Sequence, residues 1–167
     1  FRRVLFRSGV GTWNADSLGN HRVVVAVDKP ADAVLATIEW RRRDLDPEAK
    51  NLIVVDAATG ERVTNVCRFA IDRERGEVVF QPQTVPGEYY IYYLKNVMSG
   101  SPYYPTVNYP AFENTASADW IKKNKLSGKK APALPAAKVV QFQAINEMNS
   151  FYPMEVIATS KETAQIG

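Results

Sequence analysis

A tryptophan, three arginines and an aspartate stand together in one short segment, Trp40-Arg41-Arg42-Arg43-Asp44. Guanidinium groups bind carboxylates, sulfates and phosphates through pairs of N–H donors, and an indole beside them adds an aromatic surface. The segment could therefore bind an anionic ligand. The structural alternative places Trp40 in the hydrophobic core and pairs the arginines with Asp44, with Asp46 or with a neighbouring domain.

Three tyrosines in a proline-rich stretch form a second candidate site; they are Tyr103, Tyr104 and Tyr109. Aromatic rings stack on the faces of sugars, so these side chains could form a platform for carbohydrate. Tyrosine also anchors protein interfaces, since fixing its ring costs little conformational entropy. The sequence leaves both uses open.

Groups for catalysis are sparse in the rest of the chain. The carboxylates that could serve acid–base chemistry lie in or beside predicted turns, and we interpret them as solvated turn residues; they are Asp44, Asp46, Glu48, Asp72, Glu74, Glu77 and Glu88. We expect His21 to be a surface or capping residue and Cys67 to be an inert small hydrophobic side chain. One histidine and one cysteine cannot build a His/Cys zinc site. Because the sequence also has no nucleophile elbow and no glycine-rich phosphate loop, we expect no metal ion and no cofactor.

The net charge gives no reason to expect a nucleic acid or a membrane as partner. The chain has 21 basic and 18 acidic residues, a formal net charge of +3. Residues 2–8, RRVLFRS, read as the translation of a common sequencing adapter, so we interpret residues 1–8 as a cloning or assembly scar. Removal of its three arginines leaves 18 basic and 18 acidic residues. With the natural start replaced in this way, a signal peptide is not expected to be visible.

The elements that must position the candidate side chains are predicted to be β-strands. Side chains alternate with a period of two, as in half-buried strands, over residues 21–28, 34–40 and 138–145. Residues 63–71 show an extended pattern, and residues 88–94 are rich in β-forming residues. Turn residues separate these segments at Gly60, at Gly76 and at Pro86-Gly87. Together with short runs near 52–55, 77–81 and 154–159, they predict a mainly β fold. We expect an antiparallel β-sandwich of the immunoglobulin-like or galactose-binding-like kind over residues 9–159.

A long excursion, residues 96–137, interrupts the pattern of strands. Its first part, 96–115, is too long and too interrupted by proline for a strand, and excursions of this length are usually functional or serve as docking surfaces. A short helix is predicted at about 117–124, with Ser117 as its N-cap. Residues 160–167 are expected to begin a linker or helix toward a C-terminal domain.

Several segments taken in order resemble one known family: Gly11-Thr12-Trp13, Gly19-Asn20-His21-Arg22, residues 40–44, residues 85–93 and residues 150–159. The chain resembles the N-terminal domain of glycoside hydrolase family 123-like proteins over nearly all of residues 9–167. The resemblance implies a β-sandwich that precedes a (β/α)-barrel catalytic domain with exo-acting β-N-acetylgalactosaminidase activity. In that mechanism the substrate's 2-acetamido group attacks, an aspartate steadies it, and the adjacent glutamate is the general acid.

The Asp-Glu pair of that family lies in the barrel, and this sequence contains no Asp-Glu dipeptide. The resemblance therefore implies a non-catalytic accessory domain whose partner is its own C-terminal catalytic domain, with the 96–115 loop or the 40–44 segment facing the barrel. An independent carbohydrate-binding module is the alternative, and a small self-contained enzyme is a third hypothesis. A glycan-degrading parent enzyme would normally be exported to the periplasm, the cell surface or the medium.

Overall fold

The fold consists of short strands with two short α-helices. The computed structural model describes residues 9–40, 42 and 44–145. The strands within these residues are β1 (Gly9–Val10), β2 (His21–Val27), β3 (Val34–Glu39), β4 (Ile53–Asp56), β5 (Val66–Phe69), β6 (Arg75–Phe80), β7 (Gly87–Tyr92), β8 (Val97–Ser101), β9 (Tyr104–Asn108) and β10 (Ala136–Ala144). The helices are α1 (Ala15–Leu18) and α2 (Ala118–Lys123), and a 3-10 helix spans Pro47–Ala49. The predicted mainly β class is confirmed. The predicted scar, the last strand at 154–159 and the segment 160–167 lie outside the described residues.

One mostly antiparallel sheet holds eight strands, in the order β4-β7-β2-β10-β3-β6-β5 with β1 beside β10. β10 joins the two halves of this sheet, because residues 138–144 pair antiparallel with β2 whereas Ala136 and Ala137 pair parallel with β3. The register shifts between Val139 and Gln141, and such a bulge lets a strand bend from one layer into the next. The sheet therefore curves nearly into a barrel, so the predicted sandwich is only partly confirmed.

The main core lies between the two halves of the sheet. It contains the inward side chains of β2, β3, β6 and β7, among them Val23, Val25, Ile38, Phe80 and Ile91. The prediction of a half-buried strand holds for β3, but it is wrong for β2, whose other face is buried as well. β2 lies between β7 and β10, and the Arg22 guanidinium on its outer face is stacked between Trp13 and Tyr90.

The prediction that His21 lies at the surface or caps an element is wrong. His21 is the first residue of β2 and pairs with Ala144 of β10, so the central position of the strand buries its imidazole to 3% exposure. Burial disfavours the charged imidazolium and lowers the pKa of His21 to about 4.

The excursion divides into three pieces. Strands β8 and β9 pair with each other in a separate two-stranded sheet, and we call this hairpin, residues 97–108, the arm. The prediction that proline keeps strands out of this stretch is wrong. Pro102 lies in the turn between the strands, and Pro105 lies in β9, a strand whose outer edge needs no N–H donor.

The second piece, residues 109–117, is called the strap, because it ties the chain before β4 to the chain before β5. The Asn51 N–H donates to the carbonyl of Pro110 (2.9 Å), and the Ser117 N–H donates to Oδ1 of Asn65 (2.8 Å). The third piece contains α2. Ser117 caps this helix, and Trp120 packs with Phe69 and Val79 on the outer side of β5 and β6.

Candidate functional site

Two of the segments singled out from the sequence meet in one place at the end of β3. We call the group the basic–aromatic cluster; its members are Trp40, Arg42, Asp44, Lys50, Arg68, Tyr93, Tyr109 and Phe112. They come from the segment after β3, the chain before β4, β5, the chain after β7 and the strap. Arg41 and Arg43 lie outside the described residues.

Trp40 is a core residue of this cluster. Its side chain is 1% exposed, its indole N–H donates to the carbonyl of Asp72 (2.7 Å), and its ring stacks on Tyr93 with centroids 5.1 Å apart. Gly76 of β6 lies directly against the indole, where a Cβ atom would collide with the ring. The Arg42 guanidinium lies over the same indole, 4.8 Å from its centroid. The position of Trp40 therefore fixes that of Arg42.

Arg42 and Asp44 form a buried ion pair. Nε and Nη2 of Arg42 donate to the two carboxylate oxygens of Asp44 at 2.9 and 2.7 Å, and the side chains are 2% and 3% exposed. The interpretation of Asp44 as a solvated turn residue is therefore wrong. Burial alone would raise the pKa of Asp44, but the hydrogen bonds and charges of Arg42 and Lys50 outweigh it and hold this pKa below its usual value.

Lys50 connects the pair to the strap. Its Nζ donates to Oδ2 of Asp44 (2.7 Å) and to the carbonyl of Leu45, and it lies 4.2 Å from the centroid of the Tyr109 ring. The backbone of Lys50 also forms an isolated antiparallel β-bridge with Ala111 of the strap. Tyr109 thus joins the segment that begins with Trp40, through a lysine that the sequence analysis did not select.

Arg68 reaches the cluster from β5. Its Nη1 donates to the carbonyl of Lys50 (2.8 Å), and its guanidinium carbon lies 3.6 Å from the centroid of Phe112. Its Nε atom is buried, and no acceptor within the described residues reaches it. Burial lowers the pKa of Arg68 and the positive charge of Arg42 lowers it further, whereas Glu48 opposes the shift.

Tyr103 and Tyr104 do not belong to the cluster. They lie at the tip of the arm and are 89% and 83% exposed, so neither ring packs against the rest of the domain. The three tyrosines of the second candidate site are therefore divided between two places. Tyr109 supports the cluster, and the other two extend into solvent.

Outside the basic–aromatic cluster, the described ranges offer few groups for chemistry. No group of three or more His, Cys, Asp and Glu side chains there could hold a metal ion. Cys67 lies half-buried in β5, where burial raises the pKa of its thiol. Among the described residues no helix has the length and apolar character that crossing a membrane requires.

Comparison with known proteins identifies a family for this chain. The sequence model of the family described as glycoside hydrolase 123, N-terminal domain, matches residues 11–145. The matched range contains both helices, the arm, the strap and every member of the basic–aromatic cluster. No curated protein and no solved structure matched the chain.

Proposed function

Because the chain belongs to the family of glycoside hydrolase 123 N-terminal domains, we propose that it packs against the catalytic barrel of a β-N-acetylgalactosaminidase or similar hexosaminidase. In this proposal the domain is a non-catalytic accessory part of the enzyme. An exported parent enzyme fits the same proposal, since its substrates would be extracellular glycans.

The buried carboxylates support a non-catalytic role. A glycosidase of the usual kind needs two carboxyl groups that face the sugar across roughly 5 to 10 Å. Both oxygens of Asp44 are bound by Arg42 and Lys50. Asp56 is fully buried and accepts hydrogen bonds from the backbone N–H groups of Ala58 and Thr84 at 2.9 and 3.1 Å. These carboxylates hold the fold together and have no free oxygen for a substrate.

The exposed and uncharged surface of the arm is the main observation in support of packing against a catalytic barrel. Its sequence, VMSGSPYYPTVN, contains no charged residue, although charged residues make up 23% of the chain. All residues of β8 and most residues of β9 are exposed, including Met98 and Tyr104. A two-stranded hairpin is marginally stable alone in water, and a surface rich in Tyr and Met but poor in charge is typical of the core of a protein interface. The arm is therefore suited to lie against another protein surface.

A carbohydrate platform is the second candidate role for the arm, and the exposure of its two tyrosines favours it. However, Tyr103 is in the turn and Tyr104 begins β9, so the two rings do not follow each other along one face of a strand. A flat platform for one sugar ring needs side chains on a common face. The interface role is therefore the better supported of the two.

The first experiment reads the DNA that follows the codon of Gly167. The proposal expects several hundred codons with a barrel pattern and an Asp-Glu pair, and a stop codon soon after Gly167 would contradict it. The purified 167-residue chain should not hydrolyse a chromogenic β-N-acetylgalactosaminide, and measurable turnover that persists through purification would also contradict the proposal.

The second experiment tests the arm in the resulting full-length enzyme. Met98→Lys places a charge on the exposed arm and should separate the thermal transitions of the two domains. Val140→Lys is the matched control, because Val140 of β10 is 54% exposed and lies outside both the arm and residues 40–44. Equal effects of the two variants would exclude the arm as the docking element. Glycan binding that is lost in Tyr103→Ala and Tyr104→Ala, with the domain transitions unchanged, would favour the carbohydrate-binding role instead.

A further inference from the structure

Positive charge is concentrated at the end of α2 and in the turn that follows it. We call residues 122–130, KKNKLSGKK, the lysine-rich segment. All five of its lysines are exposed, and the segment contains no acidic residue. The rest of residues 9–167 holds 13 basic against 18 acidic residues. The segment is therefore a local cationic surface on a domain that is otherwise acidic.

The neighbouring side chains neutralise little of this charge. Lys123 pairs with Asp32 (3.2 Å) but is still 69% exposed, and no other lysine of the segment forms an ion pair within the described part of the chain. Lys122 and Lys123 lie in the last turn of α2, where the helix dipole favours cations. That explanation does not reach the three lysines beyond the end of the helix, at 125, 129 and 130.

The backbone that carries these lysines is fastened to the domain. Leu126 is 5% exposed and packs with Trp120 on the outer side of β5 and β6. Its N–H donates to the carbonyl of Ile121 (2.9 Å), and the N–H of Lys125 donates to the carbonyl of Lys122 (3.2 Å). A surface whose backbone is fixed before binding loses less conformational entropy when a ligand arrives.

Lys125 occupies a backbone position that favours glycine. Its φ of +56° is in the left-handed region, just past the end of α2, where helices commonly place glycine or asparagine. A side chain in this conformation costs stability, and such strained residues cluster at ligand sites. The strain at Lys125 adds a fifth cation to the segment, which is an observation independent of the charge count.

The chemistry of the segment selects among polyanions. It contains no aromatic residue, whereas sites for single-stranded nucleic acid commonly stack bases on aromatic rings. None of the large exposed hydrophobic side chains of the described residues lies in it, whereas binding to a membrane surface uses a buried apolar face. It also contains no arginine, and lysines act as hydrated point charges rather than as forks for one carboxylate. Such a surface suits anionic groups spaced along a hydrated polymer.

From these observations we propose that the lysine-rich segment binds a sulfated polysaccharide, whose sulfate groups pair with its lysines. The anionic polymer follows from the charge, the exposure and the fixed backbone. The choice of a polysaccharide over double-stranded nucleic acid rests on the proposed function in a glycan-degrading enzyme. A second contact of this kind keeps a polymeric substrate attached to the enzyme and raises the effective concentration of its chain ends at the barrel.

The experiment measures binding of the 167-residue chain to fluorescein-labelled chondroitin sulfate by fluorescence anisotropy, at several salt concentrations. Unsulfated chondroitin, dextran, a DNA duplex and vesicles containing phosphatidylserine are the comparison ligands. We expect binding that weakens steeply with salt, is at least about fivefold tighter than for unsulfated chondroitin, and is undetectable for dextran. The triple variant Lys125→Gln, Lys129→Gln and Lys130→Gln should weaken binding at least about tenfold and flatten the dependence on salt.

The matched control removes three positive charges elsewhere, through Lys29→Gln, Arg73→Gln and Lys138→Gln. These three side chains are exposed and lie outside the lysine-rich segment, so binding should stay within about twofold. The arginines of residues 1–8 are present in every variant, and differences between variants therefore report on the exchanged lysines and arginine alone.

Lys125→Gly separates binding from folding. Glycine suits the left-handed conformation, so this variant should raise the urea midpoint while it weakens binding about twofold or more. A higher midpoint with unchanged binding would overturn the role given to Lys125. Absence of binding to chondroitin sulfate, or equal losses in the two triple variants, would overturn the site. Tighter binding to the DNA duplex or to the vesicles would overturn the assignment to a polysaccharide. None of these results affects the accessory-domain proposal, which depends on the arm and on the downstream sequence.

Discussion

Asp44→Asn is the sharpest test of the basic–aromatic cluster. The substitution keeps the shape of the side chain and removes its charge, so the Arg42 guanidinium, 2% exposed, becomes a buried cation without a counter-charge. Removal of one partner of a buried ion pair typically destabilises a protein by about 3–5 kcal/mol. An asparagine oxygen can still accept one hydrogen bond from Arg42, so we expect the lower end, about 3 kcal/mol. This is a large part of the roughly 5–15 kcal/mol that holds a domain folded, and it corresponds to a fall of about 6–12 °C in Tm.

The assay is urea unfolding followed by tryptophan fluorescence. Asp28→Asn is the control, because Asp28 pairs with Lys138 at the surface, where the two side chains are 60% and 72% exposed; its unfolding midpoint should not move. Addition of Arg42→Met to Asp44→Asn should recover part of the lost stability, because it removes the more deeply buried of the two cations that Asp44 pairs and leaves only Lys50, which is 11% exposed. The reasoning is refuted if Asp44→Asn and Asp28→Asn behave alike, or if the double variant is less stable than Asp44→Asn alone.

Three further predictions concern the rest of the fold. His21 binds a proton more readily in the unfolded chain, with a pKa near 6.5, than in the folded one, with a pKa of about 4. The contribution of neutral His21 to the unfolding free energy should therefore be present above pH 6.5, and the unfolding free energy should be lower by about 2 kcal/mol at pH 5. Equal urea midpoints at pH 7 and pH 5 would contradict this. Gly76→Ala should cost about 1–3 kcal/mol in unfolding free energy, because its Cβ collides with Trp40, whereas Gly128→Ala, with no neighbour closer than 3.6 Å, should cost far less; equal losses would refute the packing argument. Ser117→Ala removes the N-cap of α2 and should lower the unfolding free energy by about 1 kcal/mol, and an unchanged midpoint would show that the cap contributes nothing.

The sequence contains the local signals of the fold but little about which segments meet. Alternation with a period of two identified β2 and β3, and the core position of Trp40 was one of the two alternatives that the sequence left open. The same alternation could not show that β2 is central, because a strand buried on both faces can still carry an arginine when aromatic rings cover it, as Trp13 and Tyr90 cover Arg22.

Only part of the basic–aromatic cluster could be predicted from the sequence, for a related reason. Asp44 looks like a turn residue in the sequence, and its burial depends on Lys50 and Arg68, which come from other parts of the chain. Arg68 stands among the residues of a predicted strand, where a charged side chain is ordinarily the solvent-facing member of the alternation. A charged residue in a strand whose ring partner lies in a distant loop, as Phe112 does, has no local pattern that would reveal it.

The central position of β10 has a consequence for the order in which the chain becomes complete during synthesis. β10 follows every other described strand, yet it lies between β2 and β3 and joins both halves of the sheet. Until residues 136–144 leave the ribosome, β2 and β3 each present an open edge, and such edges recruit other strands. The nascent domain therefore passes through a stage in which the two halves of the sheet are separate, because β10, which joins them, has not yet been synthesised. A ribosome that stalls before Ala136 would leave a product prone to aggregation, even though most of the core residues have already been made.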